Sequence, residues 1–150
     1  MGSIFQNHAL IAGLLAMSLA QLLKPIYHYW AYKEWDPVQI FSSGGMPSSH
    51  SAFVCATALV TGMRSGFDSE VFAVAAVFGI IVLYDAANVR WQSGLHAQRI
   101  NQILRELFSG QPLSEETLKE VIGHTPRQVY AGAIFGLIVG LLVEEIWMLH

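Results

Sequence analysis

From Gly2 to Leu23 the chain reads GSIFQNHALIAGLLAMSLAQLL, without a charged side chain. About 20 such residues, wound as a helix, cross the roughly 30 Å hydrocarbon core of a bilayer. The stretch lacks the basic start of a signal peptide, and no clean small-residue cleavage site follows it, so it reads as a retained membrane helix. Ala12, Ala16 and Ala20 recur every fourth residue and form a stripe on which a second helix can pack closely. The whole composition agrees: 53% of residues are hydrophobic and 13% charged, roughly half the charged share of a soluble protein. A length of 150 residues suits one domain spanning 1–150. The formal charge of −3 argues against nucleic acid as a partner. Cys55 stands alone in an apolar run, which excludes an internal disulfide and fits a small packing residue.

Moving outward, Lys24-Pro25 ends the first run. Tyr27, Tyr29, Trp30, Tyr32 and Trp35 then form a cluster suited to the membrane–water interface, with His28 among them. A second apolar run, Ser48 to Met63, is short for a crossing and closes at Arg64-Ser65-Gly66. A third, Val71 to Ala87, is broken only by Asp85. Between Arg90 and Arg127 the chain is at its most polar, and Ile100, Ile103, Leu104, Leu107 and Phe108 share one face of an amphipathic helix. Ser109-Gly110-Gln111-Pro112 ends that helix, and a short one opens near Ser114 and stops at Gly123. Thr125-Pro126 reads as N-cap and first position of the last helix, Val129 to Met148. Gly132, Gly136 and Gly140 mark close packing along it, internally or between subunits, so a homo-oligomer contact is one expectation. The fold class expected is an all-α integral membrane bundle. It has about four transmembrane helices and one or two interfacial amphipathic helices.

Four crossings put two connections, Lys24–Pro47 and Asn88–Gln128, on one side of the membrane. The first contains Gly44-Gly45-Met46-Pro47-Ser48-Ser49-His50-Ser51. Two glycines loosen the backbone, the proline starts a helix, and serines crowd its first turn. Free N–H groups there make an anion site, and a histidine one turn in can exchange protons with the bound anion. The same side carries Lys24, Lys33, Arg90, Arg99, Arg105, Lys119 and Arg127, against Arg64 alone on the other. The excess of cations assigns it to the cytoplasm, or an equivalent such as a plastid stroma, with both termini opposite.

Lys24, His50, Arg90 and His96 thus share one surface. A phosphoester needs cations for its oxygens, a nucleophile for phosphorus and an acid for the leaving group. Arg90 is suited to bidentate phosphate binding. Lys24 is either a point charge for phosphate or a snorkelling anchor. Two histidines can divide attack and proton donation, and the arrangement needs no metal or other cofactor. His124, in Gly123-His124-Thr125-Pro126, reads as helix punctuation, and His8 and His150 carry no signal.

Pro47-Ser48-Ser49-His50 resembles the Pro-Ser-Gly-His signature of the type-2 phosphatidic acid phosphatase superfamily, which includes vanadium haloperoxidases. Arg90, five residues, then His96 matches its motif of Arg, five residues, His. Together with Tyr84-Asp85-Ala86, Val89-Arg90 and Gly123-His124-Thr125-Pro126, the pattern resembles the divergent branch of that superfamily. The resemblance implies that His96 forms a phosphohistidine and His50 protonates the leaving group. It also implies that Lys24 and Arg90 bind phosphate, with Ser48 and Ser49 at the anion-binding turn. Two positions depart from the pattern. Ala31 stands where a second cation belongs, and Ile100 where an aspartate would orient the nucleophilic imidazole. Asp85 is the substitute orienter, or else a salt-bridge partner of Arg90. The expected activity is removal of phosphate from a lipid phosphate monoester, with phosphatidylglycerophosphate suiting a cytoplasmic site. The rivals are an inactive membrane scaffold or lipid-binding protein and, third, a vanadate-dependent peroxidase.

Overall fold

A computed structural model describes residues 4–42, 44–107 and 124–149. Five α-helices appear in chain order: α1 His8–Tyr32, α2 Ser49–Ser65, α3 Glu70–Tyr84, α4 Arg90–Leu107 and α5 Pro126–Met148. Short 3-10 turns cover Ile4–Gln6 and Pro37–Phe41, and a π-helical turn, Asp85–Val89, joins α3 to α4. No strand occurs among the described residues. The short helix expected near Ser114 lies outside them.

Each helix start follows from its sequence. Asn7 caps α1, its side chain accepting from Leu10 N at 3.0 Å. Ser48 caps α2 and Ser69 caps α3 in the same way. Thr125 and Gln128 form a reciprocal capping box at α5, with Pro126 at the first position. Pro47 was expected to start α2 but lies before the cap, since the Ser48 hydroxyl accepts from Ser51 N at 3.4 Å and sets the boundary there. Nor does Lys24-Pro25 end the first helix. Proline removes a single donor, and α1 runs on to Lys33, whose left-handed backbone (φ 61°) returns its N–H to Tyr29 O.

α2 is the central helix, packed by α1, α3 and α5. Its partners approach through small residues. Ala12, Ala16 and Ala20 of α1 are fully buried, as are Ala52 and Ala56 of α2. On α5 the glycine stripe faces the α2 backbone. A Cβ at Gly132 would strike Ser48, one at Gly136 would strike Ala52, and one at Gly140 would touch Ala56. The stripe is therefore taken up inside the chain, where it lets α5 run parallel to α2, rather than lying open for a second copy. With lipid outside as apolar as the core, such close backbone packing supplies the contact energy that water exclusion supplies in soluble proteins. Exposed apolar side chains, among them Leu22, Val74, Phe78, Ile81, Ile138 and Leu142, coat the bundle.

Three helices are long and apolar enough to cross a membrane: His8–Tyr32, Glu70–Leu107 and Pro126–Met148. The count expected was about four. α2, with 17 residues, reaches only about 25 Å at 1.5 Å per residue. The third run and the amphipathic helix form one continuous 38-residue helix, about 57 Å long on the same rise. Ser93 and Gly94 do not interrupt it; the Ser93 hydroxyl donates to Val89 O at 2.9 Å, within the helix.

Candidate active site

Helix directions gather four chain segments at one end of the bundle. α1 and α3 run antiparallel to α2: Gly13 meets Thr57 while Lys24 lies beside Gly45 just before α2, and Phe72 meets Gly62 while Gly79 meets Val54; α5 runs parallel to it. The end of α1, the start of α2, the π turn after α3 and the start of α5 therefore meet. Ser48 N donates to Gln128 O at 3.2 Å and fastens α2 to α5 there.

Lys24 is the most unusual side chain at this end. It is 2% exposed, although it carries a charge. Its Nζ donates to Ser42 O at 2.6 Å, and Gln21 Nε2 donates to the same carbonyl at 3.4 Å. Among the described residues no carboxylate pairs with it. Gly45, at φ +88°, turns the loop over the lysine stem, its would-be Cβ lying 3.7 Å from Lys24 Cδ. A side chain at that φ would be strained, which is why glycine serves there.

Ser48, Ser49 and Ser51 are buried beside it. The Ser48 hydroxyl accepts from the Ser51 hydroxyl at 2.9 Å as well as from Ser51 N. Ser49 lies in the first turn, where N–H groups have no carbonyl four residues back and helix dipoles favour an anion. His50 follows and is exposed, open to solvent or headgroups. Lys24 near the end of α1 and Ser48, Ser49 and His50 at the start of α2 thus lie at the same end of the bundle.

The rest of the expected constellation is distributed differently. Asp85 opens the π turn at this end, its N–H shared between Ile81 O and Val82 O. The Arg90 side chain lies outside the described ones. His96 is exposed on α4. Among the described residues α4 packs substantially only against the π turn that leads into it, not against the start of α2.

His124 takes a place that its sequence reading did not give it. It is 3% exposed. Nδ1 lies 3.3 Å from Gln128 Oε1, which also accepts from Thr125 N at 3.0 Å. Among the described residues Nε2 is buried with no hydrogen-bond partner. Burial holds the pKa of this ring below the ordinary imidazole value; the charges of Lys24 and His50 act the same way, while Gln128 and the Gly45 backbone partly oppose them. The Gly45 backbone thus lies beside the ring. The signal available in the sequence was Gln128 at the third position after the Thr125 cap, four residues from His124.

Beside this end an apolar groove of about 430 Å³ runs between α1 and α5, lined by Leu23, Tyr27, Met46, Pro47, Ala131 and Phe135 among others. Met46 and Pro47 of this lining belong to the loop that leads into the Ser48 cap of α2.

Residues 5–139 match the Divergent PAP2 family. The chain belongs to that family. It is 31% identical to the Uncharacterized membrane protein YuiD of Bacillus subtilis (strain 168), over 97% of this chain and 99% of that relative. No solved structure matches the chain. With its apolar helices, this makes it an all-α membrane protein of a divergent phosphatase-related branch. The family match spans residues 44–51, the π turn and the start of α5, three segments at the Lys24 end of the bundle.

Proposed function

We propose that this divergent PAP2 protein hydrolyses the phosphate monoester of a membrane lipid through a phosphohistidine, without a metal. The observation that carries the reading is Lys24, a buried ammonium with one carbonyl for company beside a serine-capped helix start. A buried charge costs several kcal/mol unless a counter-charge meets it, and a phosphate dianion at the α2 N-terminus supplies one. Ser48 holds the turn, Ser49 and its neighbours offer first-turn N–H groups, and His50 stands exposed where a leaving alkoxide can take its proton. The groove at Met46-Pro47 gives an acyl chain a path from the bilayer to the phosphate.

In this reading the chain is multi-pass, and the end bearing Lys24 faces the cytoplasm or stroma, because Lys24, Lys33, Arg99, Arg105 and Arg127 belong to segments at or beyond that end, against Arg64 at the other. Phosphatidylglycerophosphate, with its terminal phosphate monoester, suits such a site. The inactive-scaffold reading draws on Ala31 and Ile100, which leave out one cation and one carboxylate of the superfamily pattern.

The test is phosphate release by the full-length protein in nanodiscs containing phosphatidylglycerophosphate, with chelator present. Wild type should turn over, and His50→Ala should fall by about 10²-fold or more, the usual share of a general acid. Equal rates for the two proteins would sink the phosphatase reading in favour of the scaffold.

A further inference from the structure

The resemblance assigns the second imidazole to His96, but the bundle presents another. Among the described residues, His124 is the histidine that is both buried and in the electrostatic reach of Lys24 and His50. Its ring state follows from the hydrogen bonds around it. Thr125 N–H donates to Gln128 Oε1, so the atom facing Nδ1 is the amide oxygen, an acceptor. Nδ1 must then carry the proton, and Nε2 keeps its lone pair. That lone pair is buried and unmatched, a costly state for a polar atom. Lone pair, buried cation and serine-capped helix start converge on one place.

We propose that His124 Nε2, held in this tautomer by the α5 capping box, is the nucleophile that takes the phosphoryl group, with His50 as proton donor to the leaving oxygen. The proposal rests on the phosphatase reading. The Nε2 lone pair forms the N–P bond. The P–O ester bond breaks, its electron pair goes to the lipid alkoxide, and that oxygen takes the proton of the His50 imidazolium. Water then attacks phosphorus and gives its proton to neutral His50. The N–P bond breaks, the pair returns to Nε2, and inorganic phosphate leaves. Gln128 holds Nδ1–H throughout, the orienting work for which Ile100 leaves no carboxylate after His96. Lys24 from α1 and His50 from α2 are the charged and titratable groups facing the ring, and both favour its neutral, nucleophilic form.

The experiment runs wild type, His124→Gln and His96→Ala on a radiolabelled lipid phosphate, quenches in alkali to preserve phosphoimidazole, and maps the label by peptide. A second arm follows the histidine ring resonances of the wild type on adding orthovanadate. Label on His124, lost in His124→Gln together with about 10³-fold of turnover, supports the proposal. Label on His96, or turnover retained in His124→Gln, overturns it while leaving the phosphatase reading intact. If His124→Gln does not fold, the label on wild type alone still decides. Absence of turnover with His124 resonances moved by vanadate ends the phosphatase reading and overturns the nucleophile with it, leaving His124 as an anion contact only. Absence of both overturns the two together.

Discussion

At one end of the α2–α5 pair, buried Glu144 is met by Arg64, whose Nε lies 2.9 Å from one carboxylate oxygen and 3.0 Å from the other. At the opposite end, Lys24 is buried as deeply and, among the described residues, is given a loop carbonyl and no carboxylate. The two charges pose the same problem of desolvation. The Arg64 end solves it inside the chain and is closed, a clamp between helix ends. At the Lys24 end the described residues supply no such partner, and the His124 Nε2 atom at the same end is buried without one as well. The contrast is the ground for the proposed anion site: among the described residues one buried charge has its counter-ion and the other has none.

Lys24→Met tests that distinction with the largest effect. Methionine keeps the length and apolar body of the side chain and removes the charge. Phosphate release should fall by about 10²- to 10³-fold, the loss seen when one donor to a developing anion is deleted. The unfolding midpoint should hold or rise, because an uncompensated buried charge is gone. A variant that unfolds more easily while keeping its turnover would make Lys24 a structural anchor like Arg64, and the contrast between the ends would collapse.

Gly132→Ala comes next. Its Cβ would meet the Ser48 backbone, which cannot give way as a flexible side chain could. Overpacking of this kind costs about 1–3 kcal/mol, and here the displaced atoms belong to the cap of α2. Both the melting temperature in detergent and phosphate release should drop. Gly140→Ala, whose Cβ would lie 3.3 Å from Ala56 Cα, touches the pair away from the Lys24 end and should cost less stability and no turnover. Equal loss of activity in the two variants would show that the whole helix pair, not its Lys24 end, sets the rate.

These glycines also show which parts of the molecule the amino-acid pattern could announce. Small residues at four-residue spacing have one strong physical use, close backbone approach, and the alanine stripe of α1 and the glycine stripe of α5 both serve it. The sequence left open whether α5 met its own chain or a copy, because the same stripe suits either. The serine-capped turn was equally readable, since caps and first-turn donors are local. What depends on distant docking was not. A π turn at Asp85–Val89 gives no compositional sign, so one long helix looked like two. Nor does composition announce that the helix runs on through Ser93 and Gly94, where the Ser93 hydroxyl is turned back onto Val89 O within the helix. His124 looked spent as punctuation before a cap. Its worth comes from burial against α1 and α2, and from an amide four residues on that fixes its tautomer, neither of which periodicity reports.

Arg64→Met probes the closed end and should give the smallest effect. The Arg64 side chain is 40% exposed while that of Glu144 is 6% exposed, so water screens one partner and hardly reaches the other. Removing the arginine strands the carboxylate, yet part of the pair's attraction was already weakened by solvent. The loss should be about 1–2 kcal/mol, below the 3–5 kcal/mol of a fully buried pair. It should appear in the melting temperature and leave phosphate release unchanged, since nothing at this end touches the anion site. Adding Glu144→Leu should restore most of the stability, because a well-packed apolar pair serves as well as a buried ionic one. A double variant no better than the single would mean that the contact contributes by packing rather than charge. A single variant that lost turnover would tie the two ends together and remove the separation on which the comparison rests.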